Sequence, residues 1–163
     1  MQALAAHGGS DPVSALAAML EPGADASRGI AWCYELRLHR ARGYGALKGI
    51  LGILAEEEPL TLTEIAQRLQ RTPGSTKDYL SWLEDVDLVH VHHKRYRFAD
   101  AVLRLWVRLH CRPVPPTDDE IATEVHQYAI GRLPQGEPAM VLAGAGTPAS
   151  EDERKTWGII EID

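Results

Sequence analysis

Two helix-start signals lie close together in the middle of the chain and a change of hydrophobic period follows the second, a succession that few folds accommodate. Thr61-Leu62-Thr63-Glu64 has the form of a capping box, in which the Thr61 hydroxyl accepts from the Glu64 amide while the Glu64 carboxylate reaches back. The helix it starts is short, with Ile65, Ala66 and Leu69 facing inward, and it breaks at Gln70-Arg71. Thr72-Pro73 is the second start, an N-cap followed by proline at the first helical position. The spacing predicts a helix from Pro73 to about Asp85 that buries Thr76, Leu80, Leu83 and part of Tyr79, and turns Ser75, Lys77, Asp78 and Ser81 outward. Beyond it the period drops from about 3.6 to about 2. Leu88, Val89 and Val91 read as a strand, His92 to Arg95 as a turn, and Tyr96 to Phe98 as the return strand of a hairpin.

Helices flank this centre on both sides. Asp11-Pro12 is a further N-cap and N1 pair, followed by Val13, Leu16, Ala17 and Leu20 before Pro22-Gly23 ends the pattern. Ile30 to Arg42 reads as a second helix, with Ile30, Cys33, Tyr34 and Leu38 inward, Arg37, His39, Arg40 and Arg42 mainly outside, and Gly43 closing it. Ala46, Leu47, Ile50, Leu51 and Leu54 then mark the buried face of a helix from about Tyr44 to Glu57. After the hairpin, Asp100 caps a helix from Ala101 to Leu109 whose only polar stripe is Arg104 and Arg108. Such a helix needs cover on several sides, either from the flanking segments or from a partner or second copy docking there. Pro113-Val114-Pro115-Pro116 is a stiff spacer, Thr117 caps an amphipathic helix opened by Asp118, Asp119 and Glu120, and Trp157 to Ile162 is a candidate C-terminal strand.

The expected fold is therefore mainly α with a small β-hairpin: a winged helix-turn-helix with flanking helices. Its expected organisation is an N-terminal helical extension over 1–43, the winged domain with its following apolar helix over 44–112, and a linker, helix and tail over 113–163. An apolar content of 45% suffices for a core, and a formal charge of −6 argues against coating nucleic acid by bulk attraction. Neither an apolar run long enough to span a bilayer nor a leader-like start is seen, so a cytoplasmic protein without membrane contact is expected. Cys33 and Cys111 are far apart and lack CxxC neighbours, so reduced, buried thiols are expected.

In a winged helix-turn-helix the second helix of the pair aims its first turns at base edges, and the hairpin lies on the neighbouring backbone. The candidate contacts to double-stranded DNA are then Arg71, Ser75, Lys77 and Ser81 from the turn and helix, with Lys94, Arg95 and Arg97 from the wing. Asp78, Glu84, Asp85 and Asp87 make the same helix and its exit acidic, and basic and acidic residues balance between Tyr44 and Leu109. That balance keeps a protein-docking role beside the DNA-binding one.

The stretches Gly43-Tyr-Gly-Ala-Leu-Lys, Leu60-Thr-Leu-Thr-Glu-Ile-Ala, Thr72-Pro-Gly-Ser-Thr-Lys-Asp-Tyr-Leu and Tyr96-Arg-Phe-Ala-Asp-Ala-Val-Leu-Arg-Leu-Trp resemble the C-terminal winged-helix region of archaeal-type AAA+ ATPases. The resemblance covers about Asp11 to Arg112, and Asp100-Ala101 stands where that family usually has Asp-Pro. It implies a regulatory domain that follows a nucleotide-binding core. The sequence carries no G-x-x-x-x-G-K-[ST] loop, so ATP binding is not expected of it, nor is any cofactor. His90, His92 and His93 on the wing lack a carboxylate or cysteine at matching spacing, which favours an exposed basic hairpin over a metal site. No base accompanies either cysteine, and Glu124 and His126 project differently from their helix, so binding is expected rather than catalysis.

Overall fold

The computed structural model describes residues 11–39 and 43–132, which hold seven helices and three short strands. They are mainly helical. The helices are α1 (Pro12–Leu20), α2 (Asp25–Leu38), α3 (Tyr44–Glu56), α4 (Leu62–Arg68), α5 (Pro73–Asp85), α6 (Ala101–His110) and α7 (Asp118–Ile130). The strands β1 (Leu60–Thr61), β2 (Val89–His92) and β3 (Arg95–Phe98) form one antiparallel sheet in the order β1-β3-β2. The expected strand at Trp157 to Ile162 lies outside the described residues.

Capping chemistry sets most of the helix starts. Asp11 accepts from the Ser14 amide, with Pro12 at the first turn of α1. At α4 the expected capping box is complete: the Glu64 amide donates to Thr61 Oγ1 (3.3 Å) and the Thr61 amide donates to Glu64 Oε2 (2.7 Å). Thr117 and Glu120 repeat it at α7. Asp100 accepts from the amides of Val102 (2.7 Å) and Leu103 (3.1 Å) at α6. Only α2 departs, beginning at Asp25 and not at Ile30. No breaker intervenes from Asp25 onward, and Asp25 places a carboxylate in the first turn, where the helix dipole favours it.

The turn between α4 and α5 closes through a left-handed residue. Gln70 has φ of 55°, and the Arg71 amide donates back to the Ala66 carbonyl (3.0 Å), the six-to-one bond of a Schellman motif. Asp87 (φ 55°) ends α5 in the same way, with the Leu88 amide on the Leu83 carbonyl (3.0 Å). Gly43, at φ of 87°, permits a further close approach, since a Cβ there would run into the ring of Tyr79.

Leu47, Ile50, Leu51 and Leu54 of α3 are fully buried at the centre of the core, where Ile65 of α4 and Leu80 and Leu83 of α5 join them. α6 packs across α3, and α2 and α7 meet α6 as well. Leu103, Leu105, Trp106, Val107 and Leu109 are thereby buried within the chain. The apolar exposure that motivated a partner or self-association at Ala101 to Leu109 is removed, because α2 and α7 supply the cover. Trp106 stacks on His110 (5.2 Å between centroids), lies against Tyr34 (5.6 Å) and donates from its indole to Ser27 Oγ (3.0 Å).

The Tyr34 hydroxyl is buried in this cluster and makes no well-formed hydrogen bond among the described residues, with only the Cys111 thiol beside it as a weak partner. Burial, with Cys111 and Glu35 beside it, holds its proton on well above the ordinary phenol range. Leaving such a group unpaired costs roughly 1–3 kcal/mol. Tyr34→Phe is therefore expected to raise stability, by about 1 kcal/mol in urea unfolding. A midpoint lowered by the deletion would contradict this account.

Candidate nucleic-acid interface

The sheet places the hairpin. Val89 lies opposite Phe98, His90 opposite Arg97, Val91 opposite Tyr96 and His92 opposite Arg95, so the turn is the two residues His93 and Lys94. Both have positive φ (50° and 63°), the requirement of a type I′ turn. Histidine tolerates that region better than lysine, and glycine is freest in it. β1 adds to the far side of β3, with Leu60 opposite Tyr96 and Thr61 opposite Arg95. The hairpin is thus tied to the start of α4.

The sequence-derived contact residues differ in what they are free to do. Lys94 at the tip and Lys77 on the outer face of α5 are exposed and make no ion pair among the described residues. Ser81, one turn on from Lys77, is exposed on that same face. Arg71 is exposed and its guanidinium lies over the Tyr79 ring, 5.8 Å from the centroid. Ser75 is half-buried, and its hydroxyl donates to the Thr72 carbonyl (3.1 Å), so it belongs to the cap of α5. Arg95 donates to the Pro59 carbonyl (3.1 Å) and lies 4.0 Å from Glu64 Oε2. Arg97 donates from Nε to His90 Nε2 (2.9 Å), its cross-strand neighbour.

A shallow depression lined by Gln67, Gln70, Arg71, Thr72 and Ser75 lies where α4 ends and α5 begins. The first turn of α5 contains no acidic side chain. The acidic residues sit further along: Glu84 is close enough to Tyr96 that, after burial, its charge further raises that phenol. Asp78 is exposed beside Lys77.

His92 and His93 face each other, Nδ1 to Nδ1 at 3.0 Å. Among the described residues no group of three or more His, Cys, Asp or Glu side chains is placed to hold a metal ion. Arg104 and Arg108 are occupied within the chain, Arg104 by Glu58 (3.4 Å) and Arg108 by Glu124 (2.9 Å). Trp82 is half-buried and packs against the core.

The cysteines correct the sequence expectation. Cys33 and Cys111 are both exposed and free. Cys33 falls at the edge of the α2 stripe set by Ser27, Tyr34 and Leu38, and Cys111 follows the last residue of α6. Its thiol is nevertheless raised by desolvation, an effect that the neighbouring Tyr34 hydroxyl opposes. Among the described residues no helix is long and apolar enough to cross a membrane. Compared with family models, curated proteins and solved structures, the chain matches none.

Proposed function

We propose that residues 44–98 form a winged helix-turn-helix that binds double-stranded DNA, with the wing tip and the start of α5 as the contact surface. The reading is supported by the order helix, strand, two helices joined by a tight turn, and hairpin, with β1 closing the sheet against β3. One observation carries it: Lys94, Lys77 and Arg71 are exposed cations without ion pairs among the described residues, while Arg95 and Arg97 already hold partners within the fold. Lys94 then supplies the principal wing contact, Lys77 and Ser81 the helix contacts to bases, and Arg95 and Arg97 lesser ones. The role is regulatory and not catalytic, as a C-terminal domain of an AAA+-type ATPase would be, in keeping with the resemblance of the sequence.

Fluorescence anisotropy on random duplex over a salt series tests the proposal. Three phosphate contacts at a log-log slope of about −0.9 each imply roughly 40-fold weaker binding between 50 and 200 mM salt. Lys94→Gly is the informative variant, because it removes the charge while relieving a positive φ (63°), so loss of binding does not report a damaged turn. It is expected to weaken all duplexes alike and to flatten the slope by about 0.9, whereas Lys77→Ala changes sequence preference. Absence of binding at low salt, or indifference to Lys94→Gly, sinks the DNA reading. A second reading, docking on an ATPase core or partner subunit without DNA, is favoured by exposed Asp78 beside Lys77, which weakens this face as a phosphate probe.

A further inference from the structure

Ion pairs between α6 and α7 form a ladder that stops one rung short. Arg112, just past the end of α6, holds Glu120 through both terminal nitrogens of its guanidinium (3.2 and 3.0 Å), and Arg108, one turn earlier, meets Glu124 through Nε (2.9 Å). Glu120 and Glu124 are neighbouring turns of α7, so the two helices run antiparallel and position 128 comes due opposite Arg104. Position 128 is tyrosine, and the next charged residue is a further cation, Arg132. Its guanidinium lies over the Tyr128 ring, 4.8 Å from the centroid, and makes no ion pair among the described residues. A pocket of about 290 Å³ opens at this rung, bordered by Arg104 and Arg108, by Gln127, Tyr128 and Arg132, and by buried Leu105.

Charge says what completes the rung. Among the described residues the charged side chains lining the pocket are Arg104, Arg108, Glu124 and Arg132. Glu124 balances Arg108, and Glu58, which reaches Arg104 from outside the pocket (3.4 Å), balances Arg104. Asp100 is near in sequence, but its carboxylate is taken by the Val102 and Leu103 amides at the start of α6. The positive end of α6 and the negative end of α7 both border the pocket and offset each other. The positive charge of Arg132 is left over. We propose that this pocket binds a small organic monocarboxylate with a compact apolar body. The carboxylate lies between Arg132 and Arg108, where the missing acid of the ladder would stand, and the body lies against Leu105 and the Tyr128 ring. A phosphate dianion fits less well, because it would leave the site net negative beside Glu124 and the apolar wall unused. The site is independent of the DNA reading, since none of its residues belongs to the hairpin or to α5.

Titration of the full chain with sodium benzoate at constant ionic strength, followed by amide and arginine Nε–H chemical shifts, is the test. Saturation is expected with a Kd of about 1 mM, a reasonable value for so small a ligand. The shifts are expected at Arg104 to Arg108 and at Gln127 to Arg132, and benzamide, the uncharged isostere, is expected to bind about tenfold more weakly. Arg132→Ala, at an exposed position beyond the last turn of α7, is expected to weaken benzoate by about tenfold as well. Gln127→Glu is isosteric, exposed and on the border of the pocket, so it supplies the missing carboxylate from within the chain. It is expected to abolish benzoate binding without lowering the thermal midpoint. Lys94→Gly is expected to leave benzoate binding untouched, which separates this site from the wing. No saturable shifts by about 50 mM benzoate, far above the expected Kd, would overturn the proposal. Equal binding of benzamide, tighter binding of inorganic phosphate than of benzoate, or wild-type affinity in Arg132→Ala or Gln127→Glu would overturn it equally.

Discussion

Trp106→Ala is expected to destabilise the fold by about 3–5 kcal/mol, a large part of the roughly 5–15 kcal/mol that holds a domain of this size. The indole is 7% exposed and sits where α6 meets α2, against Tyr34 and His110 and bonded to Ser27. Truncation opens a cavity and leaves the Ser27 hydroxyl, itself 5% exposed, without its donor. Because Leu20, Tyr34 and Leu38 share one continuous core with Leu47, Ile50 and Ile121, the loss is felt by the N-terminal helices and the central elements together. Urea unfolding followed by far-ultraviolet dichroism and by tryptophan fluorescence checks this. Coincident transitions, both shifted, are the expected result; an N-terminal phase that melts alone while the rest keeps its midpoint would show that α1 and α2 are an appendage.

That shared core explains which parts of the structure could be read in advance. Helix starts are local: Asp11-Pro12, Thr61 with Glu64, Thr72-Pro73, Asp100 and Thr117 carry their own hydrogen-bond partners within a few residues, and each sits at the end of its helix. The inward faces of α3 and α5 were legible for the same reason, from spacing along one helix. β1 was not, since two residues have no period and are made a strand only by Tyr96 and Arg95 across from them. The cover on α6 depends on α2 and α7, distant in sequence, and the hydrophobic pattern of α6 alone announces the need without naming the supplier.

The candidate interface was legible to a similar extent. Charge and position along α5 and the hairpin nominate Arg71, Lys77, Lys94, Arg95 and Arg97, and all are exposed. Composition does not tell which cations are already engaged. The Pro59 carbonyl that takes Arg95 and the His90 ring that takes Arg97 reach them only through strand register, and Ser75 is taken by the cap that Thr72-Pro73 itself announces.

Glu58→Ala is expected to cost roughly 2–3 kcal/mol, concentrated at the base of the hairpin. In sequence Glu58 looks like one more charge in the run that ends α3. In the fold its side chain is 10% exposed, its Oε1 lies 3.4 Å from Arg104 Nε, and its Oε2 accepts from the Phe98 amide (2.7 Å). One carboxylate thus joins the last residue of β3 to α6. Alanine leaves a peptide N–H and an arginine side chain that is 25% exposed to find other partners, and among the described residues only Arg104 has any, the carbonyls of Leu54 and Glu56. Glu58→Gln keeps an acceptor for Phe98 and loses the charge, so about half the effect is expected. Urea unfolding gives the magnitude, and amide exchange at Phe98 gives the place: faster exchange there than in α3 marks a loosened hairpin. A change below about 0.5 kcal/mol, the range of ordinary surface substitutions, would mean that the carboxylate is dispensable. If Lys94 meets phosphate as proposed, Glu58→Ala also weakens DNA binding while leaving the salt slope unchanged, because it disturbs the positioning of the charge and removes none of it.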